Sequence, residues 1–139
     1  LAGPEAVVGQ VSKMLDHTTS CTVSFAQKGA LAALQQGSEW TEQARNEFAA
    51  RRDLACKELS LVDRVEAIAP EGTFYVFCDI SQTGLSAVDF ASRLLEEKKV
   101  AVIPSESFGI QGYIRISFAT DRDTIQRGIR RISEFTRSL

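Results

Sequence analysis

Thr73-Phe74-Tyr75-Val76-Phe77-Cys78-Asp79-Ile80 is the stretch where the apolar period of the chain changes. Before Pro70 the apolar residues recur at helical spacing. Here Phe74, Val76, Cys78 and Ile80 alternate with Tyr75, Phe77 and Asp79. Both sets are largely apolar, which predicts a strand covered on both faces. A chain that moves from helices into strands in this way belongs to the α+β class.

Downstream, Gln82-Thr83-Gly84 predicts a turn, and Ser86 with Asp89 has the spacing of a capping box ahead of a short helix. Val88, Ala91, Leu94 and Leu95 form that helix's apolar face. Val100 to Ile103 reads as a short strand stopped by Pro104, and Pro104 to Gly112 as an irregular loop. Tyr113 to Ala119 is a strand with Ile114, Ile116 and Phe118 on one face and Tyr113, Arg115 and Ser117 on the other. Thr120 with Asp123 is expected to cap a last helix, whose Ile125, Ile129, Ile132 and Phe135 repeat at helical spacing.

Upstream, Pro4 opens a helix that places Val7, Val8, Val11, Met14 and Leu15 on one face and ends near Asp16. His17 to Thr22 is a loop, and Thr22 or Ser24 is available to cap a second helix, Phe25 to Gln36. Gly37 is expected to close it in the left-handed conformation. Ser38 opens a long third helix along which Trp40, Ala44, Phe48, Ala55 and Leu59 trace one apolar stripe, and Val65 to Ala69 is a short strand. The fold expected is an α+β layer: an antiparallel or mixed sheet of three or four strands with helices on one face, preceded by a helical connecting segment. Its divisions are residues 1–37, a long helix over 38–62, and the α+β part over 63–139.

Composition bounds the function. The 139 residues are 44% hydrophobic and 24% charged, enough to bury about 65 to 70% of the unfolded surface around one core. Sixteen basic against eighteen acidic residues give a net charge of −2, which supplies no footprint for a phosphate backbone, so no nucleic-acid partner is expected. No apolar run approaches the roughly 20 residues of a membrane crossing. Cys21, Cys56 and Cys78 form no C-x-x-C pair and are odd in number, so they read as reduced, buried thiols of a cytoplasmic protein. With His17 the only histidine, no metal site is expected. Leu1-Ala2-Gly3-Pro4 has neither an initiator Met nor a signal-peptide pattern, and the expectation is a chain that begins inside a longer protein.

Arg115 is the most informative residue, because it interrupts an apolar strand that follows a glycine-bearing loop. A guanidinium fixed on a strand can clamp a carboxylate through two parallel hydrogen bonds; the competing reading is an edge arginine paired with a neighbouring acid. The loop Pro104 to Gly112 could bind an anion through backbone N–H groups, or serve only as a connection. His17 beside Thr18, Thr19 and Ser20 is either a base near hydroxyls or a partner of a helix C-terminus. Lys28 is an imine-forming amine or a solvent-facing helix residue. Trp40 with Phe48 reads as packing, Glu71 to Phe74 as a turn feeding a strand, and Asp79 as a local turn residue.

Gly72-Thr73-Phe74-Tyr75-Val76-Phe77, Val100-Ala101-Val102-Ile103-Pro104, Ser107-Phe108-Gly109 and Gly112-Tyr113-Ile114-Arg115-Ile116-Ser117-Phe118-Ala119 follow one another in a recognisable order. They resemble the C-terminal part of the class I pyridoxal-phosphate aminotransferases. Thr18 to Gln27 and Gly29 to Leu34 resemble the segment that follows the cofactor lysine in the bacterial-type aspartate aminotransferase branch. The resemblance spans nearly the whole chain and implies the small domain of a fold-type I enzyme. Residues 1–37 would then belong to or adjoin the large domain.

In that family the arginine at the position of Arg115 grips the substrate α-carboxylate, so the resemblance makes Arg115 substrate-binding. It implies pyridoxal phosphate as cofactor, amino-acid and 2-oxo-acid substrates, aspartate foremost, and a homodimer for the full-length protein. The imine-forming lysine of the family sits upstream of Leu1 in a Ser-x-Ser-Lys context that Lys13, Lys28, Lys57, Lys98 and Lys99 all lack. The chain alone is therefore expected to be inactive, with no catalytic and no cofactor-binding residue. Ser105 stands where the family usually has glycine after the proline, a departure that bears on the loop conformation there and on its reach toward substrate. The rival readings are an aromatic or alanine aminotransferase branch and, from another class, a stand-alone α+β ligand-binding or regulatory module.

Overall fold

The computed structural model describes residues 2–139, so Leu1, the first residue of the helical lead expected over 1–37, lies outside the described residues. Helices α1 (Glu5–Thr18), α2 (Ser24–Gln36) and α3 (Ser38–Leu59) are followed by strands β1 (Glu66–Ile68) and β2 (Tyr75–Asp79). A 3-10 turn, Ser81–Thr83, leads into α4 (Ala87–Lys98), then β3 (Ile103–Pro104), a second 3-10 turn (Ser105–Phe108), β4 (Tyr113–Ser117) and α5 (Arg122–Arg137). The chain divides within α3 into two compact units, Leu1–Gln43 and Ala44–Leu139.

In the second unit the four strands lie in the order β1-β2-β4-β3 and every neighbouring pair is antiparallel. Val76 and Cys78 of β2 and Ile114 of β4 are fully buried, as are Phe90 and Leu94 of α4, Phe135 of α5 and Leu59 of α3. Phe90 and Phe135 meet edge to face at 5.1 Å. One sheet face therefore carries the helices and the core. Tyr75, Phe77 and Asp79 are only half-buried, so β2 is fully covered on one face and partly covered on the other.

Several local expectations move. Ser86 caps α4 as its spacing implies, its Oγ accepting from the Asp89 N–H at 3.1 Å. The cap of α5 is Asp121, not Thr120, with Oδ1 accepting from the Thr124 N–H at 2.8 Å. Val23 occupies the cap position of α2 with no side-chain bond, so neither Thr22 nor Ser24 serves there. Gly37 is not left-handed: its φ is −83°. Glycine is needed because a Cβ would meet the Ala33 carbonyl oxygen at 2.3 Å. Of the strand expected over Val100–Ile103 only Ile103 pairs, and Pro104, expected to stop the strand, is its second residue, opposite Ile114 at the sheet edge where its missing N–H is tolerated. Of the three free cysteines Cys78 alone is buried; Cys56 is intermediate and Cys21 exposed.

Helices α1 and α2 hold no buried residue. Within them Phe25 is 78% and Leu34 87% exposed.

Candidate functional site

Strand β4 owes its orientation to Ile114, which is fully buried. Side chains alternate across a strand, so seating Ile114 in the core turns Arg115 onto the opposite face of the sheet. The register places Arg115 between Phe77 of β2 and Ile103 of β3. Tyr75 shares that face one pleat along β2, opposite Ser117.

Two rings enclose the guanidinium. Its carbon lies 4.2 Å from the centroid of Tyr75 and 4.7 Å from that of Phe108, with Phe108 also edge-on to Phe77 at 6.2 Å. Each such contact contributes about 0.5 to 2 kcal/mol, more as water is excluded. The Nε atom is buried and makes no hydrogen bond. Among the described residues the guanidinium forms no ion pair, so the salt-bridged edge arginine finds no partner. An unmet buried donor costs about 1 to 3 kcal/mol. A guanidinium held on a rigid strand between aromatic faces can answer that cost by taking a planar oxyanion, and a carboxylate matches its fork through two parallel bonds.

Phe108 reaches the site from the 3-10 turn Ser105–Phe108, which Gly109 ends at φ 78°, a conformation glycine adopts without strain. Ser105 is fully buried. Its hydroxyl donates to the Ile110 carbonyl at 2.7 Å and accepts from the Tyr113 N–H at 3.1 Å. The Gly109 and Ile110 N–H groups donate to the carbonyls of Glu106 and Ser105. Those donors are spent inside the loop, which removes them from the anion-binding role considered for it. Glu106 accepts from the Ala87 N–H at 3.2 Å through Oε1, while Oε2 is buried without a hydrogen bond; the positive end of α4 favours that carboxylate.

At the end of β2, Asp79 accepts from the Ser81 N–H at 2.8 Å. The Ser81 hydroxyl and then its N–H hold the Asp79 carboxyl below the usual range, and the Asp79 charge in turn pushes the Tyr113 phenol up. This is the local turn role expected of Asp79. His17 sits in the last turn of α1, and it and Lys28 of α2 are exposed. Trp40 is 72% exposed, while Phe48 packs on Phe74 and Phe118 at 6.4 and 6.5 Å. A groove of about 360 Å³, lined by Val100, Ile116, Phe118, Ile125 and Ile129 among others, does not include Arg115. The partners missed by sequence reasoning are Tyr75 and Phe108; alternation puts Tyr75 on the Phe77 face, but register and loop path are needed to bring either ring to Arg115.

The family model for aminotransferases of class I and II matches residues 1–132. A probable aspartate/prephenate aminotransferase of Aquifex aeolicus is 36% identical, over 96% of this chain and 35% of its own length. The aromatic aminotransferase of Pyrococcus horikoshii superposes with a TM-score of 0.86 at 32% identity, over 99% of this chain and 38% of that one. The aspartate aminotransferase of Thermus thermophilus solved with maleate superposes with a TM-score of 0.82 at 32% identity, over 99% and 36%. The chain thus spans about a third of the length of the proteins it matches.

Proposed function

The chain belongs to the class I and II aminotransferases, and on that footing we propose that Arg115 receives the α-carboxylate of an amino-acid substrate. The full-length protein would move an amino group between an amino acid, aspartate foremost, and a 2-oxo acid, as a cytoplasmic homodimer using pyridoxal phosphate. Within it residues 1–37 adjoin the large domain, 38–62 form the connecting helix and 63–139 the small domain. The observation that carries the reading is the half-buried guanidinium between Tyr75 and Phe108, with no ion pair among the described residues. The exposed apolar side chains of α1 and α2 favour a part of a larger body over a self-contained module, which would bury them.

On this reading the main seat of the cofactor lies outside this chain. A lysine that captures a carbonyl must keep its amine unprotonated, which takes burial or a neighbouring cation. Lys13, Lys28, Lys57 and Lys99 are exposed, and Lys98 lies 3.8 Å from the Glu134 carboxylate. The contribution of this chain is binding and orientation: Arg115 fixes the carboxylate, and the flanking rings fix Arg115 and keep water from its faces. On its own the chain would not transaminate.

Arg115→Leu in the full-length enzyme tests this. A lost charge-assisted bidentate pair costs about 2 to 5 kcal/mol, so kcat/KM should fall roughly thirty-fold to several thousand-fold. Aspartate and an aromatic amino acid should suffer alike, because both carry the α-carboxylate. Arg115→Lys should recover little, since an ammonium lacks the planar fork. Wild-type kinetics from a folded Leu variant with both substrates would overturn the reading.

A further inference from the structure

We infer that Ser105 is a positioning residue: its buried hydroxyl locks the loop from Ser105 to Gly112 so that Phe108 lies over the Arg115 guanidinium. The inference rests on the carboxylate reading of Arg115 and concerns how that arginine is held ready. Ser105 is fully buried and its hydroxyl makes two hydrogen bonds that bracket the segment carrying Phe108. One donates to the Ile110 carbonyl at 2.7 Å, and the other accepts from the Tyr113 N–H at 3.1 Å, at the first residue of β4. The hydroxyl thus joins the start of the loop, its far side and the strand bearing Arg115.

Phe108 depends on that lock. The residue is 46% exposed, and its ring meets the edge of Phe77 at 6.2 Å and the Arg115 guanidinium at 4.7 Å. A side chain exposed to this degree leaves its place over the arginine dependent on the backbone that carries it. Glycine at position 105 has neither hydroxyl nor side-chain restraint, so the polar lock is a property of this sequence. Ser105 does not occupy the left-handed region, which is why a residue with a side chain fits where the family resemblance places glycine. The physical consequence is pre-organisation: an arginine held in its bound pose loses less side-chain entropy when substrate arrives.

The lock predicts a KM effect. In the full-length enzyme Ser105→Ala strands the Tyr113 N–H and the Ile110 carbonyl and frees the loop, so KM should rise about ten-fold while kcat changes less than two-fold. The rise should be equal for L-aspartate and L-phenylalanine, because the lock acts on the group they share. Phe108→Leu should raise KM similarly, and Phe108→Tyr, which keeps a ring over the guanidinium, should restore it. The double variant Ser105→Ala with Phe108→Leu should be no worse than Phe108→Leu alone, since the hydroxyl acts through that ring. Ser105→Gly, carrying the residue of the family pattern, gives the same measurement should the alanine variant not fold. If Arg115→Leu impairs the enzyme but the position-105 variants leave KM unchanged, or their effect adds in full to that of Phe108→Leu, the lock is refuted and the carboxylate reading stands. If Arg115→Leu has no effect, the carboxylate reading itself fails.

Discussion

Burial lifts the Cys78 thiol from its ordinary value to about 12, with the neighbouring Cys56 adding to the shift. Such a thiol is almost wholly protonated at neutral pH and slow to alkylate. Cys21 is exposed and Cys56 intermediate, so a maleimide time course on the native protein should label Cys21 first and Cys78 only on unfolding. Early labelling of Cys78 would contradict its place under the sheet. The sign for stability follows from the raised value: the contribution of the buried thiol is complete below the unfolded-state pKa of about 8.5. It is lost as pH rises from there toward about 12. Arg115 shows the other side of burial at this scale. Its type and strand position are local features of the sequence, whereas the rings of Tyr75 and Phe108 over its guanidinium depend on strand register and loop path.

The helices of the second unit depend on identifiable ends and faces. Ser86 both accepts from the Asp89 N–H and donates to Oδ2 of Asp89 at 2.7 Å. Ser86→Ala removes that cap and should cost about 1 kcal/mol, read as a lower urea midpoint with an unchanged slope. The stripe Ile125, Ile129, Ile132 and Phe135 is buried as its spacing predicts, because a period near 3.6 leaves a helix only one face to offer the sheet. Caps are less legible than stripes. The one-residue error between Thr120 and Asp121 arises because both can accept from a backbone N–H, and the choice depends on where α5 must start to bring Ile125 into the core. For Asp121 the Thr124 hydroxyl and then its N–H lower the carboxyl pKa, so its support of α5 is present above the ordinary carboxylate range and fades as pH falls.

At the scale of the whole molecule the two units differ in what stabilises them. Strands β2 and β4 pair along five residues of each over a common core. Helices α1 and α2, of 14 and 13 residues, hold no fully buried residue, and isolated helices of that length are marginal in water. Amide hydrogen exchange on the 139-residue chain should therefore be fastest in Glu5–Thr18 and Ser24–Gln36. Tyr75–Asp79 and Tyr113–Ser117 should approach the global rate of opening. Equal protection in both units would show that α1 and α2 have cover. The long stripe read along α3 divides in the same sense: Ala55 and Leu59 are buried while Trp40 is exposed, although nothing in their spacing separates them.

By itself the sequence determined the class of the fold, the order of its elements, the core stripe of α5 and the strand that carries Arg115. These are local properties: a period near 2 or 3.6 residues, a proline or glycine at a break, a charge among apolar neighbours. Tertiary structure decided what requires two distant segments to meet. It set the order β1-β2-β4-β3, left one face of β2 only half-buried and used the hydroxyl of Ser105 to tie its loop to β4. It also brought Tyr75 and Phe108 onto one guanidinium, because register and loop path depend on the packing of the whole sheet and on no single stretch of chain.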